Sequence, residues 1–158
     1  MIRIEELRSA DRQGVIDLIE RAGLPTADIQ ADSAARFLVA VDDGTIIGAI
    51  ALETYDADAL LRSLVVSPER QKAGLGSQLV EAAEQFAARE HIQNLYLLTE
   101  TASVFFGERG YASHARDEAP AAIRSHPQFR SLCPSTAVLM SKELQAIIAP
   151  ESPNLLDL

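Results

Sequence analysis

Apolar and polar positions change period several times along the chain, and each change marks an element. Ile2-Arg3-Ile4 alternates as a short strand. From Asp11 to Arg21, Val15, Ile16, Leu18 and Ile19 form a stripe at helical spacing, and Gly23 suits the helix end. Leu24-Pro25-Thr26 breaks that helix, and a second short one is expected over 27–35. Phe37 to Val41 and Thr45 to Leu52 read as strands around Asp42-Asp43-Gly44, a hairpin signal. Ala59 to Val66 is an apolar strand, and Gly74 to Glu90 is a helix with Leu75, Leu79, Ala82, Ala83 and Phe86 on one face. Asn94 to Thr99 is the next strand, followed by a short helix from Ala102 to Arg109 that Gly110 ends. Tyr111 to Ala115 and Ala137 to Ser141 are the last strands, with a helix-like stretch from Ala119 to Ser125 between them.

This order carries no repeat. It predicts one domain of alternating α and β elements. Residues 144–158 are expected to form a C-terminal tail, loose beyond Pro150.

The junction between the strand ending at Val66-Ser67-Pro68 and the helix starting near Gly74 holds the most informative chemistry. It reads Glu69-Arg70-Gln71-Lys72-Ala73-Gly74-Leu75-Gly76-Ser77. Glycine lets backbone approach a ligand closely, and a helix N-terminus presents unpaired N–H groups and a positive dipole end. Strand, Q-x-x-G-x-G and helix together predict a pyrophosphate site. The Walker spacing G-x-x-x-x-G-K-[ST] is absent, and Gly74-x-Gly76 lacks the third glycine of a dinucleotide fingerprint. A lone G-x-G would be an ordinary strand-to-helix turn.

Composition narrows the partners. The chain has 158 residues, 47% hydrophobic and 23% charged, with a net charge of −9. Such a surface repels nucleic acid and anionic membrane, so neither is an expected partner. No apolar run approaches a membrane span and the first residues lack signal-peptide character, so a cytoplasmic location is expected. The single cysteine, Cys133, excludes an internal disulfide and a cysteine-rich zinc site, and no histidine pair has metal-ligand spacing.

The stretch Val66-x-Pro68 followed by Gln71-x-x-Gly74-x-Gly76 resembles the coenzyme A motif of the GNAT acetyltransferase superfamily. Leu98-Thr99-x-x-Ala102-x-x-Phe105-Phe106-x-x-x-Gly110-Tyr111 is similar to amino-acid N-acetyltransferases, including the acetyltransferase half of N-acetylglutamate synthases. Leu24-Pro25-Thr26-Ala27-Asp28, Leu60-Leu61-Arg62-Ser63-Leu64, Pro120-Ala121-Ala122-Ile123-Arg124 and Phe129-x-Ser131-Leu132-Cys133-Pro134 resemble the arsenic-resistance-associated branch of that superfamily. The resemblance covers residues 1–143 as one domain and implies an α+β fold, a central mixed sheet flanked by helices, in which two adjacent parallel strands, 59–66 and 94–99, splay apart to admit the pantetheine arm of acetyl-CoA. It implies cofactor contacts from the backbone of Leu64, Val65 and Val66 and from Gln71, Lys72, Ala73, Gly74, Leu75, Gly76 and Ser77. A small amine is the implied acceptor, attacked on acetyl-CoA directly, and a homodimer is a habit of the family. A non-catalytic acyl-CoA-binding or sensor domain and a peptide N-terminal acetyltransferase are the alternatives.

Two positions depart from that family's pattern. A tyrosine acid in the last helix is replaced by Phe106, and a glutamate early in the strand before the loop is replaced by Leu60. For the base, Glu53 is favoured, at the end of the preceding strand, where partial burial would raise its pKa; a solvated carboxylate is the plain alternative. Tyr55 would shape the same rim. Arg62 interrupts an apolar strand on the same face as Leu60. A buried arginine needs an anion, either a substrate carboxylate or a structural partner such as Glu53. Arg124, Arg130 and His126 lie in a segment that the resemblance implies completes the acceptor site, with solvated loop residues as the plain alternative, and Cys133 is read as a small buried apolar residue.

Overall fold

A mixed sheet carries the molecule, and its strand order explains where a ligand can enter. The computed structural model describes residues 2–24, 26, 35–71, 74–126, 129 and 136–144. Among them the strands are β1 (Ile2–Glu6), β2 (Arg36–Asp42), β3 (Thr45–Tyr55), β4 (Asp58–Val66), β5 (Asn94–Thr99), β6 (Ala112–His114) and β7 (Val138–Glu143). The helices are α1 (Arg12–Arg21), α2 (Leu75–Arg89), α3 (Ser103–Gly107) and α4 (Ala121–Arg124). The seven strands run in the order β1-β2-β3-β4-β5-β7-β6. Every neighbouring pair is antiparallel except β4 with β5. The helix expected over 27–35 lies, apart from Ala35, outside the described residues.

Alternation along the strands sorts the core into two layers. Phe37, Val39 and Val41 of β2 meet Val15, Ile16, Leu18 and Ile19 of α1. Leu38, Ala40, Ile50 and Leu52 meet Leu75, Leu79, Ala83 and Phe86 of α2 on the other side. Leu144, placed in the tail by the sequence, is 1% exposed in this second layer, so packing continues one residue past the expected boundary.

Two strand features differ from expectation. First, β3 runs on to Tyr55 and zips with β4 across a turn at Asp56-Ala57, so that Tyr55 faces Asp58 and Glu53 faces Leu60. Asp56 sits at φ 56°, a left-handed conformation that aspartate tolerates better than most residues. Glu53 is therefore inside a strand, not at its end.

Second, β4 carries a bulge. Ala51 pairs with Arg62 and Ala49 with Val65, so Ile50 alone faces both Ser63 and Leu64. Ser63 takes the kink at φ 60°. The extra residue reverses the alternation: Arg62 and Val65 share the α1 face, while Leu64 and Val66 turn toward the α2 layer. Arg62 does share a face with Leu60, as the alternation before the bulge requires.

A buried strut sets α3 against α2. Glu84 of α2 accepts hydrogen bonds from the Tyr111 hydroxyl at 2.9 Å and from Lys142 Nζ at 3.0 and 3.1 Å. Lys142 Nζ also donates to the Arg109 carbonyl oxygen at 2.9 Å. Burial, then the Glu84 charge, pushes the Tyr111 pKa far upward, so its hydroxyl stays a donor.

The bulge makes a testable demand on Ser63. Valine at this left-handed position is expected to cost about 1–3 kcal/mol, whereas Ser63→Gly, which accepts φ 60° freely, should cost less. Urea unfolding at constant slope measures both. Equal losses would mean that the backbone angle is not what the position selects.

Candidate active site

β4 and β5 pair only at Asp58–Asn94, Ala59–Leu95 and Leu60–Tyr96. Beyond Leu60 the two strands part, while β3 and β7 keep hold of their outer edges. Backbone groups along the parted edge of β4 lose their sheet partner and must find another. The Val66 carbonyl oxygen accepts the Gln71 side-chain amide at 3.1 Å, which draws the loop back onto the strand end. The Gln71 side chain thus braces the loop, while its backbone amide is the group that the sequence assigns to the ligand.

The parted edge leads directly to the start of α2. Gly74 is the N-cap at φ 78°, which frees the following amides to point outward, and no side chain caps the helix. The first intrahelical bond runs from the Gln78 amide to the Gly74 carbonyl oxygen at 3.2 Å. The amides of Leu75, Gly76 and Ser77 precede it and have no intrahelical acceptor. Leu75 buries its side chain in the core and offers only backbone. A Cβ on Gly76 would stand 3.7 Å from the Phe105 ring, an ordinary contact, so the fold itself has room for one there. Lys72 and Ala73 lie outside the described residues. The arrangement suits an extended ligand with an anionic end: an unpaired strand edge for its arm and a ring of amides for its charge.

The other half of the site is an ionic cluster of side chains. Glu53, 8% exposed, lies among three donors. Tyr55 Oη donates to Oε1 at 3.2 Å, and His126 Nε2 stands 2.9 Å from Oε2. Arg62 Nη1 donates to the same oxygen at 3.5 Å, with Arg62 Nε on Ser63 Oγ at 3.2 Å. The Arg62 side chain is 0% exposed, and among the described residues Glu53 is an anionic partner. Burial pushes the Glu53 pKa up, but the His126 bond, the charges of His126 and Arg62 and the Tyr55 bond outweigh it, holding the carboxyl below its ordinary value. The rise expected from burial alone does not survive these partners. An ionised Glu53 carries no proton, so His126 Nε2 is the donor in their bond.

Other singled-out residues are placed as follows. Arg124 Nε donates to the Ala119 carbonyl oxygen at 3.0 Å and closes its own helix. Arg130 and Cys133 fall outside the described residues. His114 meets Ser141 Oγ at 2.8 Å away from the cluster, and His91 ends α2 at φ 66°. Phe106 is buried edge-to-face between Phe105 and Tyr111, with centroids at 5.0 and 5.4 Å. Sequence reasoning missed Tyr96 at the last β4–β5 rung. Burial, then the Asp58 charge, raises its pKa, so it remains a hydroxyl donor. A polar residue within the 94–99 apolar run was the available signal.

Comparisons with known proteins agree with this geometry. Residues 3–111 match the model of the acetyltransferase (GNAT) family. An amino-acid acetyltransferase of Pseudomonas fluorescens is 31% identical over 130 residues, covering 77% of this chain and 30% of that protein. The chain thus spans under a third of the length of that curated relative. Among solved structures, the N-acetylglutamate synthase of Neisseria gonorrhoeae, complexed with coenzyme A and N-acetyl-glutamate, superposes with a TM-score of 0.76 at 23% identity. That match covers 91% of this chain and 35% of the other. The PaiA N-acetyltransferase of Thermoplasma acidophilum, in complex with coenzyme A, gives 0.66 at 20% identity, covering 90% of this chain and 99% of that one.

The cluster makes a prediction about acid. A carboxyl with a depressed pKa stabilises the fold above the ordinary carboxylate range, and that contribution is lost as pH falls through the lowered value. Glu53→Gln should cost about 3 kcal/mol near pH 6, because the buried Arg62 loses the Glu53 carboxylate. The gap to the parent should then close as pH drops below 4.5, the ordinary value for this group. Urea unfolding between pH 6 and 3 measures it, and a gap independent of pH would refute the ionised assignment.

Proposed function

Because the chain belongs to the acetyltransferase (GNAT) family, we propose that it is an N-acetyltransferase moving the acetyl group of acetyl-CoA to the amine of a small amino acid or analogue. The observation that carries this reading is the parted β4–β5 edge running into the uncapped amides of α2. The backbone of Leu64, Val65 and Val66 lines the arm of the ligand. Gly74, Leu75, Gly76 and Ser77 hold its diphosphate, with Gln71, Lys72 and Ala73 completing the loop. The name of the Pseudomonas relative supports an amino-acid acceptor, and the branch resemblance adds amino-acid-like arsinates to the candidates.

Acetyl-CoA supplies an activated acetyl thioester. The acceptor amine must be neutral to attack it, so the chain has to take a proton. Glu53 is the proposed base, with His126 in contact to share the proton. The new C–N bond replaces the C–S bond, and the thiolate leaves with a proton from solvent or a hydroxyl, since Phe106 has none to give. Arg62 serves the acceptor by fixing the Glu53 carboxylate and by adding positive charge behind it.

A second reading, a non-catalytic acyl-CoA-binding or sensor domain, draws on two observations: Phe106 at the acid position and a Glu53 carboxyl made less basic by its partners. Thiol release from acetyl-CoA against amino acids, phosphinate and arsinate analogues and short peptides separates the readings. Turnover on a free amino acid or analogue is expected. Tight coenzyme A binding with no turnover would favour the sensor, and turnover on peptides alone would move the acceptor class. Gly76→Val should fold but lose coenzyme A binding, because its methyls occupy the open side of the loop.

Two substitutions test the acceptor half. Glu53→Gln should lower kcat by about 10²–10⁴ while the KM for acetyl-CoA holds. Arg62→Lys, which cannot reproduce the planar fork, should raise the acceptor KM without changing coenzyme A affinity. Normal kinetics in both variants would remove this cluster from the chemistry.

A further inference from the structure

Arg109 stands outside the glycine-loop motif, yet its side chain reaches the first turn of α2. Its Nε donates to Ser77 Oγ at 2.7 Å, and its Nη1 donates to the Phe105 carbonyl oxygen at 2.7 Å. The guanidinium lies 3.7 Å over the Phe105 ring, the same ring that borders Gly76. Lys142 pins the Arg109 carbonyl oxygen. Three contacts thus hold a flexible side chain in one place beside the amides of α2, and the Lys142 bond fixes the backbone it springs from.

The charge held there is little neutralised. The carboxylate recorded against it is Glu108, 3.8 Å away with a side chain 70% exposed, a pairing weak in water. Among the described residues, the other cations around the loop are engaged: Arg70 with Asp42 at 2.9 Å and Lys142 with Glu84 at 3.0 Å. Arg109 is itself 28% exposed, reachable from solvent but stacked on an aromatic face. Because Ser77 Oγ accepts from Arg109, its own proton is directed elsewhere and can be given to an anion. In a chain of net charge −9, a multiply phosphorylated ligand needs such a local cation.

We propose that Arg109, seated on Phe105 and Ser77, binds a phosphate at the nucleotide end of the thioester cofactor and makes the site select nucleotide-bearing thioesters over bare pantetheine ones. The inference rests on the acetyl-CoA reading above. It assigns recognition to a side chain from the α3–β6 turn, in addition to the backbone loop.

The test compares acetyl-CoA, acetyl-dephospho-CoA and S-acetylpantetheine on the parent, Arg109→Gln and Arg109→Lys, with coenzyme A affinity read by calorimetry. Arg109→Gln is expected to weaken coenzyme A binding by about tenfold or more, the scale of a charge-assisted hydrogen bond. It should also raise the KM for acetyl-CoA while leaving kcat/KM for S-acetylpantetheine unchanged. If the loss disappears with the dephospho form, the contact is to the 3′-phosphate; if it persists there, the contact is to the diphosphate, and either result supports the proposal. Equal losses on all three thioesters, or no loss, overturn it and leave Arg109 as a brace between α3 and α2. If Arg109→Gln does not fold, Arg109→Lys decides: it keeps charge but cannot serve Ser77 and a phosphate together, so a several-fold loss confined to the phosphorylated thioesters is expected. A parent protein that binds no coenzyme A and treats all three thioesters alike would sink the cofactor reading itself, a result distinct from failure of Arg109 alone.

Discussion

The parting of β4 from β5 is the constraint on which the rest of the molecule depends. A parallel pair that stops after three rungs leaves backbone donors and acceptors inside a protein, an arrangement that persists only if something else holds the strands. Each strand is secured from its far side. β3 follows β4 along its length, tolerating one extra residue at Ser63, and β7 follows β5 from Asn94 to Thr99. Beside the gap, α2 packs closely on the β3–β4 side of the sheet: a Cβ on Gly48 would stand 3.0 Å from Leu79 and 3.2 Å from the Val65 carbonyl oxygen. The sheet therefore stays one object while presenting an open edge in its middle.

The bulge and the ionic cluster are coupled through adjacent residues. Arg62 is the last residue of β4 before the alternation reverses, and its Nε is bonded to the bulged Ser63 itself. Its guanidinium then reaches Glu53 on β3, and Glu53 reaches His126, just after α4. Burying such charges costs more than a neutral core would, and the gain of a buried pair over an apolar one is small or negative. What the cluster provides is position. It ties the segment around α4 to the edge of the parted strands, holding an anion and two cation-capable groups beside the gap.

Much of the fold was legible because its elements have strong period and clear punctuation. α1 and α2 show apolar stripes, and Asp42-Asp43-Gly44 marks the β2–β3 turn. The Asp56-Ala57 turn was missed because its aspartate is not followed by glycine, so the stretch lacks the Asp-Gly pair that marks the β2–β3 turn, which left Glu53 at an apparent strand end. The bulge was missed for a different reason. A serine in an apolar strand is compatible with regular pairing, and only its φ of 60° reveals the reversal. At the site, the loop around Gly74 was readable from spacing, while the Glu53–His126 contact joins positions 73 apart and has no local signature.

That contrast follows from what each half of the site is made of. The loop half works through backbone amides, so its sequence requirement reduces to glycines at fixed spacing and a helix beginning on time. The cluster half works through side chains from β3, β4 and the segment after α4, and any residue there of suitable charge would keep the fold. A backbone-built half preserves one ligand chemistry across divergent sequences. In the proposed reaction the acceptor half is side-chain-built, so substitution at positions such as 53, 62 and 126 would alter it while the β3–β4 and β5–β7 pairings still hold the parted strands. Similarity at 31% identity therefore carries further for the thioester end of the proposed reaction than for the amine end.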